Sequence, residues 1–215
     1  MKAIIFGATG MVGQGVLREC LRDERVDEVL TVGRTSVGGA SPKLREKVAD
    51  LWHLDPAEFA DADACLFCLG VSSAGLSEED YRQITYDLTM AVADVFPATT
   101  RFCYVSGAGT DSSEQGRIRW ARIKGRTENA LLAKPFDAFM FRPGFIQPLH
   151  GIESKTPMYR TIYRLTGPLL PILRRAFPRL VTTTEQLGRA MVNVAVDGWP
   201  AHILETTDIN AAAAT

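Results

Sequence analysis

The sequence lacks an excess of charge of either sign, and it lacks an apolar run that could cross a bilayer. Its 215 residues carry 24 Lys and Arg against 25 Asp and Glu, a formal net charge of -1. This balance provides no field that would draw the chain to nucleic acid or to anionic lipid. A membrane-spanning helix would need about 20 consecutive apolar residues. We therefore expect an ordinary soluble globular protein with no integral membrane segment, either a monomer or a homodimer.

Cysteine is scarce, with four residues in the chain. Cys65 and Cys68 form a C-x-x-C pattern, which occurs in redox and metal sites. Both lie in the apolar run 64–69, which is typical of a buried strand, and residues three apart on a strand point to opposite faces. No second pair and no nearby histidine completes a metal site. The pattern predicts small buried hydrophobic side chains and no metal.

The N-terminus also lacks the apolar length of a signal peptide. Lys2 precedes apolar residues, but the run ends at Phe6 and glycines follow at positions 7, 10 and 13. We interpret residues 3–6 as a first buried strand and expect a cytoplasmic location.

Short apolar runs then alternate with segments of helical spacing. Strands are predicted at 3–6, 26–32, 46–51, 64–69, 101–106 and 137–142. Helices are predicted at 11–21, from Ser77 to Phe96, and from Ser113 to Ala133. This alternation predicts an α/β protein with a Rossmann-type, doubly wound parallel sheet and helices on both faces.

The pattern changes after Gly144. Residues 151–180 contain four prolines among aromatic, leucine and arginine residues, and we expect residues 145–183 to form a small lid on the substrate side. A helix at 184–196, with Thr184 as a possible cap, and a strand at 202–204 follow. We expect the whole chain, 1–215, to form one domain.

The first strand ends in a glycine-rich turn that opens a helix. Gly7, Gly10 and Gly13 allow tight backbone angles and close approach of a phosphate. The helix behind them offers unpaired N–H groups and the positive end of its dipole. This context, strand then turn then helix, is the one that dinucleotide binding requires. The predicted pyrophosphate contacts are Gly7, Thr9, Gly10, Met11, Val12 and Gly13.

The end of the second strand discriminates between the two nicotinamide dinucleotides. An NAD site tends to place an acid there, on the ribose 2′-hydroxyl. This chain has Arg34, which suits a 2′-phosphate, and Ser36, which adds a hydroxyl. The sequence therefore favours NADP(H) over NAD(H), which stays possible.

Other strand ends should line the same cleft, because ligands bind at the carboxyl ends of parallel strands. We expect Asp50 and Leu51 near the adenine. Along the ribose and pyrophosphate we expect Cys68, Leu69 and Gly70.

These residues, with the stretches 101–109, 118–125 and 141–144, resemble the atypical short-chain dehydrogenases/reductases. The likeness extends to epimerase/dehydratase-like and NmrA-like NAD(P)H-binding proteins and to the Tat-interacting-protein/oxidoreductase branch. The resemblance implies catalysis by a serine, a tyrosine and a lysine four residues after the tyrosine. Ser106 and Lys124 match the serine and the lysine, and Lys124 would also hold the cofactor ribose. Backbone contacts from Pro143, Gly144 and Phe145 would lie near the nicotinamide.

Trp120 occupies the tyrosine position. It shares a helix face with Lys124, but indole does not exchange its proton near neutral pH and cannot be the general acid. Tyr104 shares a strand face with Ser106 and is the predicted substitute; Tyr86, on the preceding helix, is another candidate, and Tyr81 is a weaker one.

Three functions stay open. The first is an NADP(H)-dependent oxidoreductase acting on a small molecule, and the second is a non-catalytic NADP(H) sensor. The third is contact with a membrane surface through the basic amphipathic stretch 165–180. Five residues of the C-terminal part could face a substrate: His150, Tyr159, Arg160, Tyr163 and Arg164.

Overall fold

The centre of the protein is a seven-stranded, fully parallel β-sheet. We describe it from a computed structural model, which covers residues 1–152 and 179–215. Its strands are β1 (Lys2–Phe6), β2 (Glu28–Gly33), β3 (Leu44–Val48), β4 (Ala64–Phe67), β5 (Arg101–Val105), β6 (Asp137–Arg142) and β9 (Ile203–Glu205). Their spatial order is β3-β2-β1-β4-β5-β6-β9. The predicted doubly wound parallel sheet is confirmed.

Six α-helices belong to the described part of the chain. They are α1 (Met11–Arg22), α2 (Glu78–Arg82), α3 (Leu88–Ala93), α4 (Arg119–Leu132), α5 (Thr184–Asp197) and α6 (Thr206–Ala212). A π-helical turn (Gln83–Asp87) joins α2 to α3, and a 3₁₀ turn covers Pro56–Phe59. Ser77 caps α2 as predicted, because its hydroxyl accepts the N–H of Asp80.

Helices cover both faces of the sheet, and alternate strand residues feed two cores. Val16 of α1 and Leu187 of α5 pack on the face that carries Ile5 and Cys103. Leu88, Val92 and Leu131 pack on the opposite face, which is rich in phenylalanine. The two cysteines of the C-x-x-C follow this alternation, since Cys65 joins the second core and Cys68 packs against the first.

The helix before β6 begins later than predicted, at Arg119 and not at Ser113. The carboxylate of Asp111 accepts the N–H groups of Ser113 and Gly116 at 3.0 and 2.7 Å. Such local side-chain bonds hold the backbone in a turn and compete with the helix. Gly125 allows α4 to touch this turn, because a Cβ there would lie 1.8 Å from the carbonyl oxygen of Asp111.

Other boundaries also differ from prediction. The third strand is Leu44–Val48 and not 46–51, because a turn held by the Asp50 carboxylate follows it. Thr183 and not Thr184 caps α5, since its hydroxyl accepts the N–H of Gln186. A pair of short parallel strands, β7 (Phe145–Gln147) and β8 (Val181–Thr183), was not predicted, and neither was α6.

The crossover from β2 to β3 contains no helix. Residues 34–43 run there as irregular chain, held by Glu46, which accepts the N–H of Val37 at 2.7 Å. β3 is an edge of the sheet, and three charged residues, Arg45, Glu46 and Lys47, follow one another in it.

The ends of the predicted lid, 145–183, are β7 and β8. Its middle lies outside the described residues, as do Tyr159, Arg160, Tyr163 and Arg164 and nearly all of the predicted membrane-contact stretch 165–180. No helix of the described residues is both long enough and apolar enough to cross a membrane.

Candidate functional site

The glycine turn between β1 and α1 has no room for side chains. Gly7 has a φ of +79°, and a Cβ on it would lie 2.7 Å from the backbone nitrogen of Leu69. A Cβ on Gly13 would lie 2.1 Å from the carbonyl oxygen of Gly7. Real Cβ atoms do not approach backbone this closely, so a side chain at either position would push the turn open. The glycines bring backbone close to backbone at the carboxyl end of β1.

The first turn of α1 is open to an anion. Gly10 is its N-cap, no side chain of the described residues caps it, and no acidic residue lies in its first turn. The N–H groups of Met11, Val12 and Gly13 therefore have no intrahelical partner and lie at the positive end of the helix dipole. Thr9 accepts a hydrogen bond from Gln14 through its carbonyl oxygen. This cradle fits a pyrophosphate.

At the end of β2, Arg34 is exposed and makes no hydrogen bond or ion pair with any described residue. The hydroxyl of Ser36 accepts the N–H of Gly38 at 3.0 Å and bonds to the Glu46 carboxylate, which holds the pKa of Glu46 below its usual range. Ser36 and Thr9 both line a cleft of about 770 Å³ between α1 and the β2–β3 crossover. Arg18 and Arg22 lie on the α1 side of this cleft.

The remaining strand-end residues differ in what they can offer. Asp50 is exposed, and its hydrogen bonds to the His53 ring at 2.7 Å and to the Trp52 N–H hold its pKa low. Leu51 is 5% exposed and belongs to the core, so its side chain does not face the cleft. The N–H of Cys68 donates to Phe6 and so extends β4 toward the glycine turn. Leu69 touches Gly7, and Gly70 is exposed.

Beyond β5, the structure brings Ser106 to a buried carboxylate. The Ser106 hydroxyl donates to Glu128 of α4 and also lies 3.1 Å from the carbonyl oxygen of Phe141. Glu128 is 0% exposed and takes two N–H groups of Arg142 in a bidentate pair. Arg142 continues to Ser112 and, at 3.3 Å, to Glu205. Sequence reasoning missed Glu128, Ser112 and Glu205, which pair only because the fold brings distant segments together.

Lys124 lies next to this buried group. Its Nζ donates to the carbonyl oxygen of Ser106, at the carboxyl end of β5. Burial lowers the pKa of Lys124 to about 8, although Glu128, one turn away, acts in the opposite direction. Trp120 is half-buried one turn before Lys124, and its ring lies against Gly109 of the β5–α4 loop. The predicted common helix face of Trp120 and Lys124 is thus directed to the loops at the strand ends.

Tyr104 is not at this site, which corrects its prediction as a catalytic residue. The side chain is 2% exposed, and its ring lies 5.8 Å from that of Phe67 in the aromatic core. Burial raises its pKa far above the usual range for tyrosine. Tyr81 is buried as well, and Tyr86 lies under the guanidinium of Arg126. His150, named as a possible substrate contact, pairs with Glu185 at 2.5 Å.

The motif Arg142-Pro143-Gly144 holds the end of β6. The N–H of Gly144 donates to the Thr206 hydroxyl at 2.9 Å, and a Cβ on Gly144 would lie 2.5 Å from the carbonyl oxygen of Leu180. Phe145 donates its N–H to the same Leu180 carbonyl. The carbonyl oxygen of Pro143 accepts the N–H of Ala108 from the β5–α4 loop. Pro143 to Phe145 therefore border the site through backbone contacts.

Among the described residues, no group of His, Cys, Asp and Glu side chains is arranged so that it could hold a metal ion.

Curated relatives match most of the chain at low identity. The mitochondrial protein FMP52 of Meyerozyma guilliermondii is 25% identical over 207 residues, covering 92% of this chain and 86% of its own. Rat HTATIP2 is 27% identical over 152 residues, covering 66% and 61%. The FMP52 relatives are named mitochondrial proteins, which contradicts the cytoplasmic location expected from the sequence and corrects it. No protein-family model matches the chain.

Solved structures establish the fold. A Bacillus cereus UDP-glucuronic acid 4-epimerase in complex with NAD superposes with a TM-score of 0.69 at 10% identity, covering 95% of this chain and 77% of its own. An oxidoreductase of the short-chain dehydrogenase/reductase family from Burkholderia thailandensis has a TM-score of 0.64 at 16% identity, covering 98% and 92%. These structures share their Rossmann-type fold with this chain, so the fold that the resemblance in the sequence implies is confirmed.

Proposed function

We propose that this protein is an NADP(H)-dependent oxidoreductase of the atypical short-chain type that acts on a small-molecule substrate. The observation that carries the proposal is the cradle formed by Gly7, Gly13 and the uncapped start of α1. Its backbone N–H groups would hold the pyrophosphate, and Leu69 and Gly70 would border it. When bound, the reduced cofactor supplies the two electrons and the hydrogen for reduction of the substrate.

The preference for the 2′-phosphorylated cofactor rests on Arg34. Its guanidinium is exposed and unpaired among the described residues, so it is available to the phosphate. Glu46 of β3, the acid that holds this crossover, is already bonded to Ser36 and to the N–H of Val37. Asp50 is likewise held by His53. No acidic residue follows directly after β2, where an acid would accept a ribose 2′-hydroxyl.

At the reactive end, this chain's own residues orient the reacting groups. Lys124 is fixed by the Ser106 carbonyl and would reach the nicotinamide ribose. Trp120 would shield the site from water on the side of the β5–α4 loop. Backbone groups from Pro143 to Phe145 would border the nicotinamide.

Titration of the purified protein with NADPH and with NADH tests the cofactor. We expect NADPH to bind more tightly, and Arg34→Ala to weaken NADPH by about 10- to 100-fold while NADH is unchanged, because a charge-assisted bond is worth about 1.5–3 kcal/mol. Arg45→Ala, on the neighbouring strand, is the matched control. Failure of both cofactors to bind at about 1 mM, a binding free energy near -4 kcal/mol, contradicts the proposal.

A second candidate is a non-catalytic NADP(H) sensor. It is favoured by Trp120 in the tyrosine position and by the engagement of the Ser106 hydroxyl with Glu128. A screen of aldehydes, ketones and quinones with bound NADPH separates the two functions. Turnover of any of them, abolished in Lys124→Ala, contradicts the sensor; binding without turnover supports it.

A further inference from the structure

We propose that Lys124 is the catalytic residue that gives the proton to the oxygen of a carbonyl substrate, in the place of the absent tyrosine. The inference rests on the proposed function and deepens it, since it names a carbonyl compound as the substrate class. It rests on a comparison of the described side chains at the end of β5 and of their ability to transfer a proton.

The other described groups at this end are unable to act. The Ser106 hydroxyl is bonded to Glu128, which is itself closed off by Arg142. The Tyr104 hydroxyl is inside the core, 2% exposed. The indole N–H of Trp120 does not exchange near neutral pH. Asp111 is ionised, since its bonds to Ser113 and Gly116 keep its pKa low.

Lys124, in contrast, is held in place and has N–H donors that are not used in hydrogen bonds to described residues. An ammonium group has three N–H donors. One of them is bonded to the Ser106 carbonyl, and the structure gives no other hydrogen bond to Lys124 from a described residue. Two donors therefore stay available, one for a ribose hydroxyl and one for a substrate oxygen.

The charges around Lys124 leave it poised to exchange its proton. Glu128, on the same helix, is the one described charged group that acts on it, and Arg142 from β6 largely neutralises Glu128. Glu205, the last residue of β9, pairs with another nitrogen of Arg142. Burial thus dominates and lowers the pKa of Lys124 to about 8. An acid whose pKa lies near the working pH is substantially protonated and can still transfer its proton to the substrate.

The step balances in atoms and charge. The carbonyl carbon gains a hydrogen and two electrons from the reduced nicotinamide cofactor, and the carbonyl π bond breaks toward oxygen. One N–H bond of the Lys124 ammonium breaks, and a new O–H bond forms at that oxygen. The product is an alcohol, and the neutral amine takes a proton back from water.

The first test needs no turnover. Acetic anhydride is applied to the whole folded protein between pH 6 and 11, and acetylation at each lysine is followed by mass spectrometry. Lys2, whose pKa is raised by its bond to Asp61, is the internal control. We expect half-maximal reactivity of Lys124 near pH 8 and of Lys2 more than two pH units higher. Reactivity of Lys124 in parallel with Lys2 overturns the proposal.

The second test separates holding the cofactor from giving the proton. Lys124→Arg keeps the charge and the donors, but arginine does not deprotonate in proteins. We expect kcat for carbonyl reduction to fall about 100-fold or more, as for loss of a general acid, while the NADPH dissociation constant changes less than threefold. Adding Trp120→Tyr to Lys124→Arg should restore at least a tenth of the lost turnover.

The outcomes distinguish this inference from the proposed function. Wild-type turnover in Lys124→Arg contradicts the role of Lys124 as proton donor and agrees with the proposed oxidoreductase function. Loss of turnover in Tyr159→Phe or Tyr163→Phe, with Lys124→Arg active, assigns the proton to that tyrosine. Absence of NADPH binding contradicts the proposed function itself. Binding of NADPH without reduction of any carbonyl compound contradicts the inference and supports the NADP(H) sensor.

Discussion

The two ends of the candidate site are built by different physical means. The proposed phosphate end, at β1 and α1, is shaped by backbone alone: Gly7 and Gly13 lie close to neighbouring backbone, and the start of α1 has no side-chain cap. The proposed reactive end, at β5, α4 and β6, is shaped by side-chain charge, with Glu128 fully buried against Arg142. One end depends on the absence of side chains and the other on their pairing.

This difference has consequences for how each end tolerates change. A glycine turn fails by steric overlap, whatever the pH. A buried ion pair fails when one partner is removed, because the other charge is left in a low-dielectric interior. The following four experiments test this comparison.

The largest effect is expected from Glu128→Ala. Arg142 would remain buried without its bidentate partner, and removing one partner of a buried pair costs about 3–5 kcal/mol. Urea unfolding measures the free energy of unfolding. Glu79→Ala, which removes the exposed partner of Arg82, is the control and should show no resolvable change. Equal losses in both variants would mean that burial does not set the strength of the Glu128 pair.

Gly13→Ala tests the phosphate end. The added Cβ would lie 2.1 Å from the Gly7 carbonyl oxygen, so the backbone must move. We expect about 1–3 kcal/mol of destabilisation, as for overpacking elsewhere, together with loss of detectable NADPH binding by calorimetry. Gly70→Ala is the control for stability, because its Cβ would meet nothing within 4 Å. Normal NADPH affinity in Gly13→Ala would show that the cradle tolerates a side chain.

The pH dependence of stability sharpens the comparison at Lys124. Its folded pKa of about 8 lies below the ordinary value of 10.5, so the unfolded chain binds more protons between these values. The free energy of unfolding should therefore rise with pH from about 8 to 10.5, by at most about 1.4 kcal/mol per unit. Lys124→Met lacks this contribution. If the free energies of unfolding of the wild type and of Lys124→Met change in parallel with pH, the Lys124 ammonium group is hydrated and not buried.

Tyr104→Phe should have the smallest effect. The ring stays in the aromatic core, and only the hydroxyl and its bond to Thr127 are lost, which costs about 1 kcal/mol or less. We expect turnover of carbonyl substrates to be unchanged, because the hydroxyl does not reach the site. A loss of turnover greater than tenfold, with stability intact, would return Tyr104 to the reaction.

The sequence predicted the glycine turn and the sheet because both depend on local patterns. Apolar strand runs and the spacing of Gly7, Gly10 and Gly13 are properties of neighbouring residues. The pairing of Glu128 with Arg142 could not be predicted, since Glu128 lies on α4 and Arg142 on β6, and an isolated glutamate in a helix usually faces solvent. The alternation along β5 gave the correct strand face for Tyr104. Phe67 and its neighbours cover that face, however, so the side chain lies in the core and not in the cleft.

The edge strand β3 bears on how the protein behaves in concentrated solution. An open sheet edge offers unpaired backbone groups to any other extended chain and can seed aggregation. Here that edge is five residues long and carries Arg45, Glu46 and Lys47 in succession. A second copy pairing its own β3 antiparallel, with Glu46 opposite Glu46, would bring like charges together and desolvate them. Charged residues on a short edge strand are one of the means by which proteins disfavour such pairing.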